Sequence, residues 1–249
     1  MSCDTRQEAG PLGGGIAVVT GASSGIGQAI AVALARGGVH VVAIGRNAVG
    51  LAKTVTAVEQ FSRATSFQID LTVQHGFQSI LSHLEDGGRL DILIHCAGVI
   101  HQDRMEDARV EDLDLQYATN VRAPYALTKC LLPLLTASRG QIVFINSSAA
   151  LNAERAEVGQ YAATKHALRG IANSLREEVN PKGVRVLSVY LGRTATPMQE
   201  ALCRGEGKTY HPEMLLQPED VASVVVQTLM LPSTAEVTDI SIRPMRKSF

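Results

Sequence analysis

Tyr161 and Lys165 stand four residues apart in Tyr161-Ala162-Ala163-Thr164-Lys165. On a helix, residues at that interval share a face, so the Lys165 ammonium is expected beside the Tyr161 phenol. An adjacent positive charge favours the phenolate. A phenol so placed can donate or accept a proton at a carbonyl or alcohol oxygen. Thirteen residues before Tyr161 is Ser148, in the pair Ser147-Ser148 that follows an apolar, strand-like run at 141–146. Its hydroxyl can hydrogen-bond the same oxygen and stabilise charge developing there. The tyrosine–lysine interval is weakly specific, because Tyr125 and Lys129 repeat it. No serine pair at a strand end precedes that second couple, so it is read as a packed ring and a surface charge.

A second constellation lies near the start. Thr20-Gly21-Ala22-Ser23-Ser24-Gly25-Ile26-Gly27 follows the apolar run 16–19 and leads into the alanine- and leucine-rich run 28–35. Strand, glycine-rich turn and helix in that order suit a phosphate. Glycine lets backbone approach a ligand closely, and the first helical turn offers unpaired N–H groups at the positive end of the dipole. Gly21, Ser23, Ser24, Gly25, Ile26 and Gly27 are the expected cradle. The second strand ends at Ile44-Gly45-Arg46-Asn47. A carboxylate at that point would pair with free ribose hydroxyls and repel a 2′-phosphate. The chain has Gly45 and then Arg46, whose guanidinium can grip a phosphate through two parallel bonds. The expected cofactor is NADP(H) rather than NAD(H). Asp70 and Leu71 end the third strand, where Asp70 meets the adenine edge, caps a helix beginning near residue 72, or does both. The fourth strand runs into His95-Cys96-Ala97-Gly98. The small residues Cys96, Ala97 and Gly98 let a flat ligand lie against the backbone. His95 and Cys96 have no partners at useful ligand spacing, so no metal site is expected.

These residues need elements to position them. Short apolar runs at 16–19, 39–44, 65–69, 90–95, 141–146, 184–190 and 239–242 read as strands, several buried on both faces as parallel strands are. Helices are expected at 28–35, 47–62, 72–84 and 159–180. The stretch 110–137 reads as mostly helical, kinked or divided by Pro124 and Pro133. The stretch 194–216 shows no clear period and is read as a mobile flap over the substrate. Gln217-Pro218-Glu219-Asp220 is a good helix start. Strands alternating with helices imply right-handed crossovers and an α/β, Rossmann-like, doubly wound parallel sheet of about seven strands with helices on both faces. In such sheets ligands bind at the carboxyl ends of the strands, where the winding reverses. Residues 1–249 are expected to form a single dinucleotide-binding domain, with 1–14 as a flexible lead-in.

The bulk composition excludes several function classes. Net charge is −1 with the signs interspersed, so no basic stripe suggests nucleic acid and no acidic tail suggests disorder. Cys3, Cys96, Cys130 and Cys203 are far apart and form no CxxC pair, which argues against a zinc site or disulfide framework and fits a reducing compartment. The first residues lack a signal peptide's apolar core, and no apolar run approaches the roughly 20 residues of a membrane span. A cytoplasmic protein acting on a small molecule is expected.

Together these residues resemble the single-domain short-chain dehydrogenase/reductase family, from residue 15 to about 242. The glycine motif is Thr20-Gly21-x-x-x-Gly25-x-Gly27, and Ser148, unlike Ser147, keeps the family's interval to Tyr161. Asn120, in Thr119-Asn120-Val121-Arg122-Ala123, matches the family's fourth catalytic residue. The resemblance implies a catalytic set of Asn120, Ser148, Tyr161 and Lys165. It implies that Asn120 holds a backbone carbonyl and a water linked to Lys165, and that Lys165 also binds the nicotinamide ribose. Thr194 and Thr196 match positions near the carboxamide and phosphates. The implied activity is hydride transfer between NADP(H) and a carbonyl or secondary alcohol, in a homodimer or homotetramer. Three places depart from the family pattern. Asn-Asn-Ala-Gly appears as His95-Cys96-Ala97-Gly98, which keeps the alanine and glycine that cofactor binding needs. Pro-Gly appears as Leu191-Gly192, which removes a rigid turn and is expected to loosen the flap. The common glycine-rich ending appears as Ile242-Arg243-Pro244-Met245-Arg246-Lys247, beside the usual subunit contacts.

Two other readings compete. A non-catalytic NADP-binding regulator need not keep all four catalytic residues. Sugar-nucleotide epimerisation needs a substrate domain for which the chain has no room. The substrate pocket is expected between residues 149–157 and the 194–216 segment, with Met198, Leu202, Met214 and Leu215 as an apolar wall and Glu154, Arg155 and Glu157 as polar contacts.

Overall fold

A computed structural model describes residues 12–73, 75–153 and 155–245. Its sheet is parallel and seven-stranded, in the order β3-β2-β1-β4-β5-β6-β7. The strands are β1 (Ile16–Thr20), β2 (His40–Gly45), β3 (Ala64–Gln68), β4 (Ile92–His95), β5 (Gln141–Ser147), β6 (Arg185–Leu191) and β7 (Asp239–Ile242). The helices are α1 (Gly25–Arg36), α2 (Ala48–Glu59), α3 (His75–Gly87), α4 (Val110–Tyr117), α5 (Ala123–Ser138), α6 (Gly159–Val179), α7 (Pro197–Gly205) and α8 (Pro218–Leu229). This is the Rossmann-like α/β architecture expected from the alternation of runs.

Strand side chains alternate between two apolar layers. Ala17, Val19, Val143 and Ile145 pack with α1, α2 and α8, while Val18, Ile142 and Phe144 pack with α3, α5 and α6. Burying each large aliphatic side chain contributes about 1.5–3 kcal/mol, and covering both faces is what allows the five inner strands to be largely apolar, while the edge strands β3 and β7 have no fully buried residue. From β1 the chain winds outward through β2 and β3, then crosses back to β4 on the other side of β1. The winding therefore reverses between β1 and β4, and a groove opens at their carboxyl ends. Among the described residues no helix is long and apolar enough to cross a membrane.

Two expectations need correcting. The helical stretch before β5 is interrupted next to Pro124 and not at Pro133. Pro124, in the first turn of α5, stands two residues beyond the interruption and has no N–H to continue the hydrogen bonding of the helical turn before it. Pro133 stands inside α5, with both it and Lys129 exposed. The interruption is a π-helical turn, Ala118–Arg122, that joins α4 to α5 and contains Asn120. The 194–216 segment is also more regular than its sequence suggested. It holds α7 and a short 3₁₀ turn, Pro212–Met214, and its ends are tied by a Thr194–Leu216 bridge and an Ala195 N–H to Leu216 carbonyl bond of 2.8 Å. No residue of α7 is fully buried. Thr196 caps it, accepting from the Gln199 N–H at 3.2 Å.

Candidate active site

Two clefts open at the carboxyl edge of the sheet. The first, about 510 Å³, is lined by Gly21, Ser23, Ser24, Gly25, Ile26, Gly27, Arg46, Asp70, Leu71, Cys96, Ala97, Gly98, Thr119 and Thr196. The second, about 310 Å³, is lined by Ser148, Tyr161, Lys165 and Thr194 among others. Ile26, Cys96, Gly98, Thr196 and Met198 line both, so the two form one continuous groove.

Backbone builds the first half. Gly21 has φ +67°, and a Cβ there would lie 2.8 Å from the Ala97 nitrogen. A Cβ on Gly27 would strike the Gly21 carbonyl oxygen. Both must be glycine if strand, turn and helix are to close on each other. Arg46 is exposed at the groove's edge. Asp70 both lines the groove and closes a turn, accepting from the Thr72 N–H at 2.9 Å and the Thr72 hydroxyl at 2.8 Å. These bonds, with a smaller contribution from the Arg46 charge, hold its carboxyl below the usual range. The helix that follows starts at His75, beyond this turn. Thr119 is buried, and its hydroxyl finds no hydrogen-bond partner among the described residues. A backbone cradle, an exposed guanidinium and an orphaned hydroxyl in one groove fit a phosphorylated dinucleotide.

The coil after β4 forms the floor, and its N–H groups are taken by side chains. The Thr20 hydroxyl accepts from Cys96 at 3.0 Å and Ala97 at 3.2 Å while donating to the Ile94 carbonyl. Asn120 Oδ1 accepts from the Val99 N–H and its Nδ2 donates to the Val99 carbonyl, both at 2.9 Å. Nδ2 also donates to Thr164 Oγ1 on α6 at 3.1 Å. Gln116 Oε1 accepts from the His101 N–H at 3.1 Å. At the end of β5, buried Asn146 accepts from the Ser147 N–H and donates to the Lys165 carbonyl at 3.2 Å. Gln116, Asn146 and Thr164 were not singled out from sequence, and Thr20 entered only as the first residue of the glycine motif. Asn146 carried a signal, as a polar residue closing an apolar strand.

At the second half, α6 brings Tyr161 and Lys165 together as their interval predicts. Lys165 is 5% exposed, and its Nζ lies 5.7 Å from the centre of the Tyr161 ring and 3.3 Å from the Ile145 carbonyl to which it donates. Ser148 opens the 3₁₀ turn Ser148–Ala150 directly after β5 and is exposed to the cleft it lines. Ser147 has a different task, accepting from the Ala149 N–H at 3.2 Å. Tyr125, expected as a packed ring, is 56% exposed on α5 and lines neither cleft.

The family departures also have structural accounts. His95 is buried, stacked on Phe144 with ring centres 4.9 Å apart, and its Nε2 is 2.7 Å from Thr128 Oγ1 on α5. Burial lowers its pKa to about 3, so the ring is neutral. Burial pushes the Cys96 thiol up to about 12. No group of three or more His, Cys, Asp or Glu positioned for a metal occurs among the described residues. Leu191 extends β6 by pairing with Ile242, and the Gly192 N–H donates to the Ile242 carbonyl at 2.8 Å. The turn that lost its proline is thus held by β7. Arg246 and Lys247 lie outside the described residues, as do Glu154 and residues 1–11 of the expected lead-in.

Of the expected apolar wall, Met198 and Leu202 line the second cleft, whereas Met214 and Leu215 do not. Arg155 lines it and is paired with Glu206 of the 194–216 segment. Glu157 does not line it; its carbonyl accepts from the Asp103 N–H at 3.1 Å.

Comparison with known proteins agrees with this geometry. A family model described as short chain dehydrogenase matches residues 15–207. An uncharacterized oxidoreductase of Staphylococcus epidermidis is 33% identical over 232 residues, covering 92% of this chain and 97% of that protein. Among solved structures, an alcohol dehydrogenase from the archaeon Thermococcus sibiricus, complexed with 5-hydroxy-NADP, is 25% identical with a TM-score of 0.84, covering 94% of this chain and 99% of that one. A metagenomic short-chain oxidoreductase in complex with NADP is 28% identical with a TM-score of 0.80, covering 95% and 100%. Sequence match and fold coincide over nearly the whole chain, which therefore belongs to the short-chain dehydrogenase family of oxidoreductases.

Proposed function

We propose that the protein is an NADP(H)-dependent carbonyl reductase, or the same enzyme run as a secondary alcohol dehydrogenase. The observation that carries this reading is the continuity of the groove: Ser148, Tyr161 and Lys165 line the cleft that the glycine cradle opens into. When bound, the nicotinamide supplies or takes up the hydride. Tyr161 gives a proton to the substrate oxygen during reduction and takes it back during oxidation. Ser148 Oγ donates to that oxygen and steadies its developing charge. The buried Lys165 ammonium offsets negative charge on the phenol as the proton leaves and reaches the cofactor's nicotinamide ribose. Asn120 is a positioning residue, fixing the Val99 backbone beside the reaction site. Gly21, Ser23, Ser24, Gly25, Ile26 and Gly27 hold the phosphates, Asp70 and Leu71 the adenine, and Cys96, Ala97, Gly98, Thr194 and Thr196 the nicotinamide half. Two supports favour NADP: Arg46 stands where a carboxylate would exclude a 2′-phosphate, and both structural relatives described above were solved with NADP or a derivative of it.

The test is a panel of carbonyl compounds assayed with NADPH and NADH in parallel, following cofactor oxidation. Turnover of part of the panel, faster with NADPH, is expected. Tight NADPH binding without turnover of any compound overturns the enzymatic reading in favour of a regulator. A preference for NADH overturns the role of Arg46.

A further inference from the structure

The cleft beside Tyr161 carries charge at its outer end. Arg155 stands on the loop leading to α6, and Glu206 follows the last residue of α7. Arg155 Nη2 lies 3.0 Å from Glu206 Oε1, and both residues line the cleft. The other carboxylate oxygen of Glu206 is 2.6 Å from Lys208 Nζ, and Lys208 is not part of the lining. Arg193 and the amide side chains of Gln102 and Gln199 also line the cleft.

Glu206 therefore has two cations. The Lys208 bond is the foremost cause that keeps its carboxyl below the usual range, with Arg155 contributing less. If Arg155 turns to another anion, Glu206 stays paired. The Arg155 side chain is 45% exposed, and ion pairs in such surroundings are weak. Exchanging one carboxylate for another on this guanidinium leaves no charge unpaired, and a guanidinium favours a carboxylate that can accept two parallel bonds.

We propose that Arg155 is a specificity-determining residue for substrates that carry a carboxylate remote from the reacting carbonyl or alcohol carbon. The substrate carboxylate displaces Glu206 from Arg155, and Glu206 remains with Lys208. This rests on the reductase reading above and names the substrate class for that site. The competing account is a plain latch that ties the loop to the 194–216 segment whatever the substrate. The two accounts differ in sign. Under exchange, losing Arg155 harms carboxylate substrates, whereas losing the Glu206 charge removes a competitor and helps them. Under a latch, both losses act alike on all substrates.

The experiment measures NADPH-dependent reduction of linear oxo acids of varied chain length and their methyl esters by the wild type, Arg155→Gln and Glu206→Gln. In the wild type, kcat/KM for the best acid is expected to exceed that for its ester by roughly two- to fivefold, the worth of an ion pair at a half-exposed guanidinium. Arg155→Gln lowers that ratio toward one, through KM of the acid rather than kcat. Glu206→Gln holds the ratio or raises it. Arg155→Lys, which keeps the charge but not the fork, gives an intermediate ratio. Ester turnover with no preference for acids overturns this proposal and leaves the reductase reading intact, as does a parallel loss on acids and esters in both glutamine variants. NADPH binding with no turnover of acids, esters or the wider carbonyl panel overturns the reductase reading, and this proposal with it.

Discussion

At the glycine end the groove is walled by backbone, with Gly21 against Ala97 and Gly27 against the Gly21 carbonyl, leaving no room for a side chain. At the Tyr161 end it is walled by side chains from a loop and from α7, including Arg155, Met198, Leu202 and Glu206. Backbone walls admit one shape, and almost any substitution spoils them. Side-chain walls can be replaced piece by piece while the sheet beneath stays the same. A fold built this way holds one kind of cofactor and varies its substrate.

The largest expected effect falls on the substrate end alone. Tyr161→Phe removes the proposed proton donor and is expected to lower kcat by roughly 10²- to 10⁴-fold, with NADPH affinity by fluorescence titration largely unchanged. Near-normal turnover in that variant would remove Tyr161 from the chemistry and dissolve the division between the two ends. Arg46→Ala tests the opposite end. NADPH affinity is expected to fall roughly ten- to a hundredfold while NADH affinity stays near its original value; an equal loss for both would show that Arg46 does not read the 2′-phosphate. Gly27→Ala forces a methyl group onto the Gly21 carbonyl. Overpacking of this kind costs about 1–3 kcal/mol, so both the unfolding midpoint and cofactor affinity drop, and an unaltered midpoint would mean the backbone wall can yield after all.

The remaining effect is one of pH, at a residue that serves neither end directly. His95 is neutral in the folded protein, with its pKa lowered to about 3, and titrates at the ordinary histidine value of about 6.5 once unfolded. Between those values the unfolded chain binds the extra proton. Its contribution to stability is complete above pH 6.5 and is lost as pH falls toward 3, by up to about 1.4 kcal/mol per pH unit. His95→Asn is expected to show a shallower acid loss in denaturant titrations. An identical slope in both proteins would mean that His95 protonates without opening its contact with Thr128.

What could be read from sequence follows the same division. The glycine turn and the Tyr161–Lys165 pair are local, since one turn and one helix fix their geometry whatever the rest does. The inner strands β1, β2, β4, β5 and β6 were legible because burial on both faces makes them nearly continuously apolar, and the more exposed β7 still has the bounds its sequence suggests. Interactions between distant segments were not legible. The helix breaks beside Pro124, as its sequence suggests, but nothing local shows that Asn120 in the break is bound to Val99, 21 residues earlier. His95 reaches Thr128 across 33 residues and Arg155 reaches Glu206 across 51. Nothing in the spacing of either pair marks it. Met214 and Leu215 were placed in the pocket wall by hydrophobicity alone, and hydrophobicity does not say which side of a segment faces the cleft.

The coil after β4 is irregular in shape, yet side-chain oxygens of Thr20, Asn120 and Gln116 hold the N–H groups of Cys96, Ala97, Val99 and His101. Amide hydrogens exchange with solvent only when such bonds open. In deuterium these four are expected to exchange on the slow timescale of the adjoining strands rather than that of a loop, with no ligand present. Asn120→Ala is expected to release Val99 to fast exchange while leaving Cys96 and Ala97 slow, so the floor of the groove can be loosened one amide at a time.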